Sequence, residues 1–260
     1  MELIKPLETS FIAPDGLQLT IRETNGEDES VLSKVANTND NSSFPKFVSN
    51  ICTSVNGDRK PTVAEVSNWK AKNVYYTLLK SRLHSLGKEV TFRLNCSEPS
   101  CTYCRTKHPI TFEEDLSTYD WDLSKAPPTK DEPGYSKVRI SPYPTSNEHH
   151  TFTVASGRKY RFKYKTFALE LKGLALPQDT IDINTPLVLR ELEIESASGW
   201  SKVLHFLAIP SREMSEIRKE VQEQDPDWDA TSEATCPGCG TIYRTNIFTQ
   251  PNFFFPGMTT

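Results

Sequence analysis

The sequence predicts an α+β fold: a helical N-terminal half, several β-hairpins, and a discontinuous ribbon that closes on cysteines. Three observations carry that expectation. Residues 70–86 place Val74, Leu78, Leu79, Leu83 and Leu86 on one face at helical spacing, and Gly87 follows as a stop. Residues 17–23 and 89–95 alternate apolar and polar side chains, the period of a half-buried strand. Two Cys-x-x-Cys pairs, Cys101/Cys104 and Cys236/Cys239, are flanked by strand-like sequence.

In chain order, LQLTIRE is the first strand, and GEDESVLSKV starts a helix with acidic residues in its first turn. The polar run 37–43 reads as a loop. Thr62 and Glu65 have the spacing of a capping box just before the long helix. EVTFRLN then enters the first cysteine pair and HPITFEEDL leaves it, which makes a hairpin. The segment HTFTVASGRKYRFKYKTF predicts a second hairpin around Ser156-Gly157. Helices are expected over 187–195, entered through Thr185-Pro186, over 200–207, and over 211–224 at the surface. Five prolines make 125–147 a linker or surface excursion, dividing 1–124 from 148–260.

With 260 residues, the chain has enough length for one large domain or two small ones. Net charge is -4 and the pI about 5.8, which argues against a dedicated nucleic-acid binder. No apolar run approaches the roughly 18 residues of a membrane span, and the N-terminus lacks a secretory pattern. A location in the cytoplasm of the producing cell is therefore expected. Without an export signal, six cysteines point to metal or buried thiols rather than a disulfide scaffold.

Structural zinc takes four ligands in a tetrahedron and favours thiolate. CPGCG at 236–240 is the sharper motif, because its proline and glycines shape the turn that two sulfurs need. CTYC at 101–104 lacks those glycines. The usual spacing between paired knuckles is about 15 to 20 residues. Here it is well over a hundred, so the ribbon is discontinuous, at modest entropic cost. The predicted ligands are Cys101, Cys104, Cys236 and Cys239. Cys96 and His108 stand as substitutes near the first pair, and Cys52 is assigned to the core. A thioredoxin-like redox role would want its CxxC at the start of a helix, which neither pair has.

No catalytic residue is predicted. His149-His150 borders the Pro-rich excursion without a nucleophile motif, and His84 and His205 fall on expected helices. Residues 113–115 and 225–229 read as solvated acidic faces or turns. No nucleophile elbow, P-loop or dinucleotide-binding glycine pattern is present. Four cysteines would also close a zinc site, where catalysis needs an open position.

A linked series of segments resembles a known family. NVYYTLLKSRLHSLGKEVTFRLNC leads through a Leu-Gly helix stop into a strand and the first knuckle, then ITFEEDLS leads out. GRKYRFKYKTF, KVLHFLAIPSREMSEIRKEV and CPGCGTIYRTNIFTQPNFFFPG follow in order, and TIRETNGEDESVL precedes them. Together they are similar to the baseplate hub and hub-assembly proteins of contractile-tailed phages of the T-even type, with relatives in phage-tail-like injection systems. The first knuckle departs from the pattern by enlargement to NCSEPSCTYC, which leaves its ligands open between Cys96 and the CTYC pair. The Pro-rich stretch is also longer than the resemblance would lead one to expect.

The resemblance implies a non-enzymatic role in tail baseplate assembly, as a chaperone or a minor component retained in the virion. Its partners would be other baseplate or hub proteins. Phe253, Phe254 and Phe255 offer aromatic anchors for such a partner, or fold back over the chain's own ribbon. The competing reading is a stand-alone zinc-ribbon module in transcription or nucleic-acid contact, which the acidic pI disfavours.

Overall fold

The computed structural model describes residues 6–38, 41–102, 110–120, 148–225, 228 and 230–255. The expected linker at 125–147 lies outside the described residues, as do Cys104 and His108. Helices and antiparallel sheets are mixed along the chain, as an α+β fold requires.

β1 (Glu8–Ile12) and β2 (Gln18–Arg22) form a hairpin, and β3 (Cys52–Val55) joins the other side of β2. Alternation in β2 buries Leu19 and Ile21, which face the larger core. Between β2 and β3 come α1 (Gly26–Thr38) and α2 (Phe44–Ile51), so Asn37 and Thr38 of the expected loop belong to α1. The α2 helix starts with a proline in its first turn and buries Phe44, Phe47, Val48 and Ile51. The capping box forms at α3 (Val63–Asn68): Glu65 N–H donates to Thr62 Oγ1 (3.2 Å), and Thr62 N–H to Glu65 Oε2 (2.7 Å).

α4 (Ala71–Leu86) ends at Gly87, whose φ of 79° is the left-handed geometry that favours glycine. Val74, Leu78 and Leu79 are fully packed, Leu83 is half-buried, and Leu86 reaches solvent. β4 (Glu89–Leu94) then pairs antiparallel with β5 (Ile110–Asp115), from Glu89 opposite Asp115 to Leu94 opposite Ile110.

A second core lies under the sheet β6 (His149–Thr153), β7 (Lys159–Lys163), β8 (Glu193–Ser196) and β9 (Gly199–Lys202). α5 (Phe167–Leu174), capped by Thr166, and α6 (Thr185–Leu189) connect β7 to β8. Two expected helices are corrected here. The helix over 187–195 stops at Leu189, because Glu191 adopts φ 49° and the chain turns into β8. The helix over 200–207 is instead β9, because Gly199 at φ 107° closes a tight hairpin that pairs Glu195 with Trp200. The third, α7 (Ser211–Gln224), has the predicted bounds and buries Met214, Ile217 and Val221 against Tyr160 and Phe162.

The chain then returns to its beginning. β10 (Thr231–Thr235) and β11 (Ile242–Asn246) form a two-stranded hairpin, followed by the short α8 (Pro251–Phe254). Phe248, Phe253 and Phe254 enter the larger core beside Phe44, Phe47 and Tyr75, with the Phe254 and Phe44 rings 5.6 Å apart. The N-terminal elements therefore share their core with the C-terminal end.

Candidate metal centre

Each of two short hairpins carries a cysteine pair beyond its last strand pairing. Cys96 and Cys101 belong to the connection between β4 and β5, and Cys236 and Cys239 to the turn between β10 and β11. That turn is built from the backbone: Gly240 N–H donates to Cys236 O (2.9 Å), and Cys236 N–H to Thr241 O (2.9 Å). Gly240 sits at φ 72°, so the glycine singled out by CPGCG is required there.

The four sulfurs all lie within 4.8 Å of one another. Cys101 and Cys236 sulfurs are 3.8 Å apart, and Cys96 and Cys239 sulfurs 3.7 Å. A disulfide needs about 2.05 Å, so neither pair is a disulfide. Sulfurs about 2.3 Å from a central ion, at the corners of a tetrahedron, would be about 3.8 Å apart. The cluster has the dimensions to hold a metal ion. Cys101 and Cys236 are buried, Cys96 is half-buried, and Cys239 faces solvent, which gives the cluster a closed floor and one open edge.

Polar neighbours surround the rim. Thr241 Oγ1 is hydrogen-bonded to Cys239 Sγ at 3.2 Å, and this contact holds the Cys239 thiol below its ordinary pKa. The Tyr243 hydroxyl donates to Cys96 Sγ (3.0 Å) and accepts from Ser97 N–H (3.0 Å); the bond to Cys96 pushes the Tyr243 phenol up. Ser232 Oγ donates to Glu114 and ties β10 to β5 away from the sulfurs. Of the four expected ligands, Cys101, Cys236 and Cys239 come together with Cys96, and Cys104 lies outside the described residues. Sequence reasoning missed Thr241 and Tyr243, although both lie within five residues of a cysteine already singled out.

The other candidates are occupied elsewhere. Cys52 is in the core, where burial pushes its thiol up to about 11. His150 Nε2 lies 2.8 Å from Glu220 and its ring packs on Phe162, in strand β6. His205 precedes a short turn, not an apolar helix, and His84 Nε2 meets Leu7 O at 3.2 Å. Asp225, read from sequence as solvated, is buried and accepts from Arg190 Nε at 2.7 Å and from Lys165 N–H at 3.0 Å. Phe253 and Phe254 are 0% and 7% exposed and Phe255 is half-buried. Phe253 and Phe254 thus belong to the chain's own larger core, against which Phe255 packs.

Fold and cluster define a mixed α+β protein in which two hairpins distant in the chain are brought together at a four-cysteine site. The chain belongs to the T4 bacteriophage base plate protein family, whose model matches residues 7–255. It is thus a phage baseplate protein, which ties it to the tail of the virion and to other tail proteins as partners. Comparison with curated proteins and with solved structures finds no match. Among the described residues no helix is long and apolar enough to cross a membrane.

Proposed function

We propose that this protein is a non-enzymatic factor in assembly of the baseplate hub, acting as a chaperone through protein–protein contacts in the cytoplasm of the producing cell. The family match across residues 7–255 is the observation that carries this reading. Retention in the virion as a minor component is the alternative within the same role.

A structural zinc ion bound by Cys96, Cys101, Cys236 and Cys239 is part of the proposal. Sulfur separations of 3.7 and 3.8 Å fit a tetrahedral tetrathiolate, and four protein ligands would leave zinc no open position for substrate. That supports a role in holding shape rather than in catalysis. Contact with proteins is also favoured by exposed apolar side chains between 174 and 207, among them Leu174, Ile183, Val188, Leu204 and Leu207. A net charge of -4 favours such contacts over nucleic acid.

Mass spectrometry of purified particles, beside a pull-down of the tagged chain from producing cells, tests the role. A chaperone is expected in the pull-down with tail proteins and absent from particles. Presence in both would mean a retained component. Absence of tail proteins from the pull-down and of this chain from particles would overturn the baseplate role.

A further inference from the structure

Cys96 is the half-buried member of the four clustered cysteines. Among the described residues the β4–β5 ladder ends at Leu94 opposite Ile110, two residues before Cys96. Cys101 has a local turn, its N–H donating to Glu98 O at 3.1 Å, and Cys236 has the backbone turn already described. A side chain from the other hairpin reaches Cys96. Tyr243 stands on β11 opposite Ala234 and packs in the small cluster formed by Cys101, Cys236, Ala234 and Ile110. Its hydroxyl accepts from Ser97 N–H and donates to Cys96 Sγ, both at 3.0 Å. One phenol thus fixes the main chain beside the ligand and the ligand atom itself.

We infer that Tyr243 is the positioning residue that makes Cys96, rather than Cys104, the fourth sulfur of the metal site. The inference rests on the metal reading proposed above. Four thiolates around a dication carry excess negative charge, and a phenol proton directed at one sulfur offsets part of it. Partners of this kind orient a ligand and tune the metal, and their loss commonly weakens metal binding about 10- to 100-fold. Once Cys96 completes the tetrahedron, zinc has no need of Cys104.

The test uses the full chain, stripped of metal and titrated with cobalt(II), whose sulfur-to-cobalt charge-transfer absorption reports thiolate ligands. Wild type and Cys104→Ser should give the same four-thiolate spectrum, and Cys96→Ser a weaker charge-transfer band. Tyr243→Phe keeps the ring and removes only the hydroxyl. It should retain the band, shifted to longer wavelength because the sulfur has lost its proton donor, and should lose cobalt to a competing chelator about tenfold more readily or worse. Wild-type affinity with an unshifted band in Tyr243→Phe would overturn the role of Tyr243 while leaving the metal site standing. A band lost in Cys104→Ser but kept in Cys96→Ser would overturn the ligand assignment, and this comparison needs no Tyr243 variant. No cobalt binding by wild type would sink the metal reading itself, and the inference with it.

Discussion

The sulfurs of Cys101 and Cys236 lie 3.8 Å apart although 135 positions separate them in the chain. Both residues are buried, and each ends a hairpin that has only two strands. Isolated two-stranded hairpins are marginal in water, so β4–β5 and β10–β11 need something to hold them. The cysteine cluster and the Ser232–Glu114 hydrogen bond lie between them. Residues just beyond β11 carry Phe248, Phe253 and Phe254 into the larger core, so the clasp and the core are neighbours in sequence and in space.

Removing metal should therefore loosen the C-terminal hairpin selectively. Metal-binding energy is also folding energy where the site exists only in the folded chain. Hydrogen exchange with and without a chelator is expected to show faster exchange over 231–246, with α7 and the β6–β9 sheet unchanged. Equal protection of 231–246 in both conditions would contradict this.

Phe253→Ala should destabilise the protein by about 3–5 kcal/mol, the usual cost of emptying a buried phenylalanine site. The ring is 0% exposed and sits 5.0 Å from Phe248 and 4.8 Å from Phe254. Denaturant unfolding measures the loss, and a change below about 1 kcal/mol would mean that the terminal aromatics are not core residues.

Asp225→Ala should cost about 3–5 kcal/mol, because it would leave the Arg190 guanidinium buried without its carboxylate. Arg190 and Asp225 side chains are 3% and 1% exposed. The same unfolding assay checks it, and a near-neutral result would contradict the buried pair.

Glu191 supplies a pH dependence. The Lys163 ammonium, then that of Lys202, holds its carboxyl at about 2 in the folded protein. A folded pKa depressed below the unfolded one, about 4.3, stabilises at higher pH, and that stability is lost as pH falls toward 2. Being partly solvated, the group contributes less than about 1 kcal/mol. In thermal melts Glu191→Gln should be less stable than wild type at pH 6, with the gap closing toward pH 2. A gap independent of pH would contradict the linkage.

How much was legible follows from where the information sits. Thr62 with Glu65, and Gly87 after Leu86, are local signals, and α3 and α4 obey them. Ser156-Gly157 likewise marks a turn that needs no distant partner, with Gly157 at φ 85°. The sequence around the β8–β9 hairpin predicts helix because the hairpin depends on tertiary pairing of Ile194 with Tyr160 on one side and Ser201 on the other. At the cluster, the spacing of CPGCG identified one pair and its glycine. That Cys96 joins Cys101 in the cluster is a matter of tertiary placement, its sulfur meeting Tyr243 and Cys239 of another hairpin, which the spacing of cysteines cannot register. Three phenylalanines near the end signalled burial or docking, yet their partners Phe44 and Phe47 are some two hundred residues away.

The most direct measurement of the central claim is the metal content of purified wild type and of Cys239→Ser. The account predicts about one zinc per chain in the wild type and a clear loss in the variant, whose hydroxyl is a poor substitute for thiolate. A wild type without zinc, or a variant that holds as much, would contradict it.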